Sequence, residues 1–235
     1  MKALLRYFAV KTLSEQVDPH KKDFFQKRLV KDSLARYNFA SRYIKNKTVL
    51  DIACGEGYGS FLLSKKAKNV TGVDVADEII KNAVEKYQLN GNIKFVSSDA
   101  VDFLAKTNKK FDVIISFETV EHVKNYMQFI ELLKKCLKPG GTLVLSTPNK
   151  RFSDLFFGGT FNRYHLKEFY TREVGNILTK SFHSKPEIYR QRSVSKKHMI
   201  LSAVKSFIFN EKSTIVKNNS YISGLDNIYV IKSKF

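Results

Sequence analysis

Cysteine is scarce: 2 of 235 residues, Cys54 within a glycine-rich stretch and Cys136 ahead of Pro139. Their positions exclude a disulfide framework and a cysteine-based zinc site, and both read as buried thiols in a reducing compartment. Neither has the setting of a nucleophile that attacks a nucleobase. Apolar runs are short as well. None approaches the ~18 to 20 residues of a membrane-spanning helix, so a cytoplasmic protein is expected. Met1 to Ser14 interleaves Lys2, Arg6 and Lys11 with its apolar residues and lacks the unbroken apolar core of a secretion signal. Internal repeats and low-complexity linkers are missing, and this length suits one embellished α/β domain.

Acidic residues are few, 22 against 41 lysines and arginines, for a net charge of +19. The imbalance is uneven. Residues 1–47 hold 12 basic and 4 acidic side chains (+8), residues 48–149 hold 13 and 12 (+1), and residues 150–235 hold 16 and 6 (+10). A nearly neutral centre between two basic flanks favours an anionic partner handled by the flanks.

Strand and helix patterns alternate through the centre: strand 48–53, helix 58–67, strand 70–75, helix 77–88, strand 93–97, a short helix near 100–105, strand 111–117, helix 123–136 and strand 142–147. Such alternation gives a parallel sheet covered on both faces, with the first strand central. Before it, Lys11 to Tyr43 reads as one or two helices. After it, Lys150 to Tyr164 reads as an irregular, aromatic-rich loop, then a helix at 171–179 and strands at 186–192 and 227–232. His198 to Phe209 reads as an inserted apolar helix.

The most informative stretch is Val49-Leu50-Asp51-Ile52-Ala53-Cys54-Gly55-Glu56-Gly57-Tyr58-Gly59, an apolar strand running through a glycine-rich turn into a helix. Glycines there allow positive φ and close backbone approach, and a helix start offers free N–H groups. A second strand, Val70 to Asp74, ends in an acid about 20 residues past the glycines, placed for two ribose hydroxyls.

This pattern, Asp-x-Ala-x-Gly-x-Gly, together with Ser98-Asp99-Ala100, the strand Phe111 to Ser116 and Leu137-Lys138-Pro139-Gly140-Gly141, resembles the class I S-adenosylmethionine-dependent methyltransferases over roughly residues 35–180. Ala53 departs from the family's usual glycine. The resemblance implies a doubly wound, Rossmann-like, seven-stranded, mostly parallel sheet of order 3-2-1-4-5-7-6 with its last strand antiparallel. It divides the chain into a helical lid (1–47), a cofactor core (48–149) and an acceptor-side remainder (150–235). It places Asp51, Ala53, Gly55 and Gly57 at the methionine end of S-adenosylmethionine, Asp74 at the ribose, Asp99 with Ala100 at the adenine, and Val75 and Phe117 as further cofactor contacts.

Phe117-Glu118-Thr119-Val120-Glu121-His122 resembles the Glu-x-x-Glu-His of the ubiquinone-biosynthesis O-methyltransferases, some of which are metal-assisted. If helical, Glu118, Glu121 and His122 share one face and can hold a divalent ion such as Mg²⁺. His165 follows the expected substrate loop and is the candidate general base, with His122 as the alternative. Arg151, Arg163, Arg190, Arg192, Lys196 and Lys197 are candidates to clamp a phosphate or carboxylate.

The expected function is methyl transfer to oxygen on an anionic small-molecule or glycan-linked acceptor. An RNA methyltransferase is the alternative, favoured by the basic aromatic flanks, although Ser-Phe-Glu-Thr after the fourth strand lacks the Asn/Asp-Pro-Pro-Tyr/Phe grip of amino-methylating nucleic-acid enzymes. A non-catalytic protein lying on an anionic membrane face is the third reading.

Overall fold

The computed structural model describes residues 24–88, 91–157, 159, 162, 164–191, 213–217 and 226–234. Helix α1 (Phe24–Ala40) precedes strand β1 (Thr48–Ile52), helix α2 (Tyr58–Ser64), β2 (Asn69–Asp74), α3 (Asp77–Tyr87), β3 (Ile93–Ser97), α4 (Ala100–Lys106) and β4 (Phe111–Phe117). A 3₁₀ turn (Val120–His122) leads to α5 (Tyr126–Cys136), β5 (Leu137–Pro148), α6 (Lys150–Phe157), α7 (Thr171–Phe182), β6 (Glu187–Gln191), β7 (Ile215–Lys217) and β8 (Asp226–Lys232).

The sheet has eight strands in the order β3-β2-β1-β4-β5-β8-β6-β7. The parallel half is as expected, with Val49 opposite Val70 on one side and Val113 on the other. β8 runs antiparallel to β5. The expected seven-strand order is corrected by one strand: Ile215–Lys217 pairs antiparallel with Tyr189–Gln191 and extends the edge. Three residues, partly or fully exposed, are too short for a period-2 pattern to declare itself.

Alternation along β1 sends Leu50 and Ile52 into one apolar layer with α5 and α7, and Val49 into the other beneath α1, α2 and α3. Three other expectations change. Lys150 to Phe157 is helical because Asn149 caps it, its Oδ1 accepting from Arg151 N at 3.3 Å. The helix expected from 123 starts at Tyr126, capped by Asn125 through Gln128 N at 3.2 Å. β5 begins at Leu137 rather than 142, because Leu137 pairs with Phe111 before a bulge. The insertion read at His198 to Phe209 lies outside the described residues, as do Arg163, Arg192, Lys196 and Lys197.

The turn after β1 is left-handed at Ala53 (φ 57°), Gly55 (φ 54°) and Gly57 (φ 76°). A methyl on Gly57 would also meet Ala83 Cβ at 2.7 Å and the Phe95 ring at 2.8 Å. Gly59 serves close approach instead, since a Cβ there would lie 2.1 Å from the Tyr37 ring. Ala53 carries the strain of a left-handed L-residue, ~1 to 2 kcal/mol, part of which glycine returns as unfolded-chain entropy. Ala53→Gly is therefore expected to stabilise the fold by about 0.5 to 1 kcal/mol, and Gly57→Ala to destabilise it by ~2 to 5 kcal/mol. Urea midpoints at unchanged slope measure both; a Gly57→Ala protein as stable as the parent would contradict the packing described.

Candidate functional site

Above the carboxyl ends of β1, β2 and β4 lies a cavity of about 430 Å³, within the range of small-molecule sites. Its wall includes Ala53, Gly55, Asp74, Val75, Asp99, Ala100 and Phe117, seven of the nine residues expected to contact a cofactor. Asp74 anchors the turn from below: Oδ2 accepts from Gly55 N at 2.9 Å and Oδ1 from Ala76 N at 3.1 Å. Each oxygen keeps acceptor capacity for a hydroxyl. Asp99 caps α4 through Oδ1 alone, accepting from Val101 N at 2.8 Å and Asp102 N at 3.1 Å. Val75 is 68% exposed at the cavity wall, an apolar surface suited to a flat heterocycle.

Gly57 and Asp51 are not part of that wall. Gly57 ends the turn as the N-cap of α2. Asp51 is wholly buried beneath the turn, where Ser60 Oγ donates to it at 2.6 Å and Tyr37 Oη at 3.2 Å. It ties the turn to α1 and α2 and is not part of the cavity wall.

Arg36, Tyr37, Tyr58 and Ser33 also line the cavity and were not singled out as site residues from sequence. Arg36 is 7% exposed; its Nη1 donates to Gln191 Oε1 at 2.9 Å and Asp226 Oδ2 at 3.2 Å, and its Nε is buried without a hydrogen-bond partner. Burial disfavours the charge, but Glu118, Asp226 and Asp32 outweigh it and hold the guanidinium fully protonated. Tyr58 Oη donates to Ser33 Oγ at 2.6 Å, a second tie between α1 and α2. Arg36 is one of four basic residues in α1, and nothing in the sequence marks it as the one that faces inward.

The cavity wall also includes Glu118, Thr119, His122 and Val123. The expected helical face of Glu118, Glu121 and His122 does not form: Glu118 is left-handed (φ 49°), and the 3₁₀ turn starts after it. Glu118 Oε1 accepts from Ser146 Oγ at 2.5 Å. Glu121 is fully buried with neither carboxylate oxygen hydrogen-bonded, and burial, then the Glu118 charge, pushes its carboxyl well up. The neighbouring Thr147 hydroxyl pulls it the other way, to a smaller extent.

The Glu121 carbonyl accepts from Leu166 N at 2.9 Å and Lys167 N at 3.1 Å, docking the segment that carries His165. The His122 and His165 rings meet edge to face, centroids 4.9 Å apart. His165 Nδ1 is 3.0 Å from Glu168 Oε1, and Glu168 is 4% exposed. Both expected bases are thus brought together, His122 on the cavity wall and His165 behind it. Of the expected anion clamps, Arg151 is exposed and Arg190 is 2% exposed on β6.

The family described as a methyltransferase domain matches residues 44–212. This chain belongs to that family, as a class I S-adenosylmethionine-dependent methyltransferase. A ubiquinone biosynthesis O-methyltransferase of Coxiella burnetii is 34% identical over 150 residues, covering 63% of this chain and 59% of that protein. One from Rickettsia akari is 32% identical over 122 residues, covering 52% and 47%. The match therefore spans less than two thirds of either relative. Among solved structures, the N-methyltransferase NodS of Bradyrhizobium japonicum with S-adenosylhomocysteine has a TM-score of 0.59 at 16% identity, covering 98% of each chain. Magnesium protoporphyrin IX methyltransferase of Synechocystis with bound S-adenosylmethionine has a TM-score of 0.58 at 16% identity, covering 98% of this chain and 96% of that one. These likenesses establish the fold.

The cofactor of this methyltransferase family fits the cavity, whose wall carries two carboxylates, Asp74 and Asp99, and the Arg36 side chain. The Mg²⁺ set implied for Glu118, Glu121 and His122 fits less well, because Glu118 is occupied by Ser146 and does not join the donor cluster.

Burial pushes the Asp51 carboxyl up to about 7, against the Ser60 and Tyr37 hydrogen bonds, with Asp74 adding a smaller upward push. The folded protein therefore binds this proton more tightly than the unfolded chain, so the stability it lends is complete below about pH 4 and is lost as pH rises towards 7. Asp51→Asn removes that dependence. From pH 5 to pH 8 the parent methyltransferase is expected to lose on the order of 2 kcal/mol relative to Asp51→Asn; parallel urea midpoints at both pH values would refute the assignment.

Proposed function

We propose that this methyltransferase transfers the methyl group of S-adenosylmethionine to a hydroxyl of an anionic small molecule. The observation that carries the reading is that one cavity joins the nucleoside acids, Asp74 and Asp99, to the imidazole of His122. The relatives named ubiquinone biosynthesis O-methyltransferase support oxygen as the acceptor atom and a small molecule as its carrier.

In this reading Asp74 takes the ribose hydroxyls, Asp99 and Ala100 the adenine edge, and Val75 packs on the heterocycle. Arg36 takes the methionine carboxylate through its guanidinium, a charge-assisted bond in a low-dielectric site. When bound, S-adenosylmethionine would supply an activated methyl group for an acceptor hydroxyl, with its sulfur as the neutral thioether leaving group. The hydroxyl proton goes to the imidazole corner, where Glu168 holds His165 in one orientation behind His122. The basic flanks, +8 and +10 against +1 for the core, support an anionic acceptor. No helix among the described residues is long and apolar enough to cross a membrane.

Calorimetry with S-adenosylhomocysteine is expected to show binding that Arg36→Ala weakens at least tenfold, about 1.4 kcal/mol or more. Labelled-methyl transfer to a panel of carboxylated phenols is expected to fall about 10² to 10⁴-fold in His165→Ala, with cofactor affinity unchanged. Transfer to RNA instead of the panel would reverse the acceptor assignment, and absence of cofactor heat from folded protein would overturn the whole reading.

A further inference from the structure

We infer that the groove between α1 and β7 is a second small-molecule site, for an amphipathic carboxylate, and that its occupancy tightens cofactor binding through Ser213, Gln191 and Arg36. The coupling rests on the role proposed above for Arg36; the site itself does not.

Helix α1 is a wall shared by two cavities. Ser33, Arg36 and Tyr37 line the cofactor cavity, whereas Lys31, Leu34, Ala35, Asn38 and Phe39 form a second stripe at helical spacing. With Arg42 in the turn beyond, and Ser213 and Ile215 from the segment of β7, that stripe lines a groove of about 650 Å³, within the range of small-molecule sites. From residue 31 to residue 42 it runs about 16 Å along the helix axis. An elongated ligand suits that shape.

The lining states the chemistry. Leu34, Ala35, Phe39 and Ile215 supply an apolar floor, while Lys31, Asn38, Arg42 and Ser213 can each donate a hydrogen bond. Among the described residues no carboxylate lines the groove. Arg42 lies over the Phe39 ring, 5.0 Å from its centroid. The charges of Asp32 and Asp226 act instead on Arg36, in the other cavity. Cations and neutral donors above an apolar floor complement an apolar body with an anionic end.

A hydrogen-bond chain leads from this groove to the cofactor cavity. Arg36 Nη1 can only donate, and it meets Gln191 Oε1 at 2.9 Å, which fixes the amide so that Nε2 donates to Ser213 Oγ at 2.7 Å. The same Nε2 donates to the Asp32 carbonyl at 2.8 Å, so the Ser213 hydroxyl stands at the Lys31 end of the groove. The carboxylate head belongs there. Ser213 Oγ accepts from Gln191, and its own proton can go to that head; the oxygen then becomes a stronger acceptor, and Gln191 holds Arg36 more firmly. Gln191 is fully buried and Arg36 nearly so, which keeps water from dissipating the effect.

The test titrates octanoate into the full chain by calorimetry, with and without saturating S-adenosylhomocysteine. Expected are one octanoate per chain, no heat from acetate or octanol at the same concentration, and an octanoate affinity raised about fivefold or more by S-adenosylhomocysteine, with the equal reciprocal gain for S-adenosylhomocysteine. Lys31→Glu and Ala35→Glu should each weaken octanoate at least about tenfold. Gln191→Leu should keep octanoate affinity within about threefold while abolishing the mutual gain, and cooperative urea unfolding of each variant shows that it is folded. Absence of octanoate binding, equal binding of acetate or octanol, affinity indifferent to Lys31→Glu and Ala35→Glu, or binding without mutual gain would overturn the inference. Because octanoate is also read without cofactor, its binding to protein that gives no S-adenosylhomocysteine heat sinks only the function proposed above, and its failure on protein that binds S-adenosylhomocysteine sinks this inference alone.

Discussion

Two hydroxyls donating to one buried carboxylate hold the cofactor end of this molecule together. Asp51 is the β1 residue that points beneath the turn; Ser60 reaches it from α2 and Tyr37 from α1. Three left-handed residues in the turn would be unfavourable without such an anchor. The Tyr37 ring fills the space that Gly59 leaves open and packs edge-on against Phe117 at 5.2 Å. β1, α2 and α1 are therefore one mechanical unit.

Fixing Tyr37 also fixes Arg36, its neighbour on α1, whose guanidinium enters the cavity. That same guanidinium reaches Gln191 on β6 and Asp226 on β8, 155 and 190 residues away. Gln191 Nε2 in turn donates to the Asp32 carbonyl at 2.8 Å and to Ser213 Oγ at 2.7 Å. The carboxyl-terminal strands thus brace α1, and one buried cation links α1 to β6 and β8. Its charge is secure because three carboxylates outweigh the cost of burial.

The parallel half of the sheet, the glycine turn, and the acids at the ends of β2 and before α4 were legible in the chain because each depends on local pattern: alternation of apolar residues, glycine spacing, and an acid where a strand stops. Local reasoning failed where local signals were weak or misleading. Asn149 as a helix cap turned an expected loop into α6. The three residues of β7 were too few to register. Glu118 to His122 has helical spacing in sequence, but Glu118 is pulled into a left-handed conformation with its side chain on Ser146 and its N–H on the Ser146 carbonyl.

The sequence by itself determined the family, the cofactor and the nearly neutral core between basic flanks, since these are properties of residue order and composition. Only the tertiary structure decided that Asp51 supports the turn rather than facing the cavity, that Arg36 points inward, and that His122 meets the segment of Tyr164 and His165, which begins 42 residues further on. Those outcomes depend on two backbone bonds to the Glu121 carbonyl and on how helices pack across a sheet, and no stretch of chain carries that information alone.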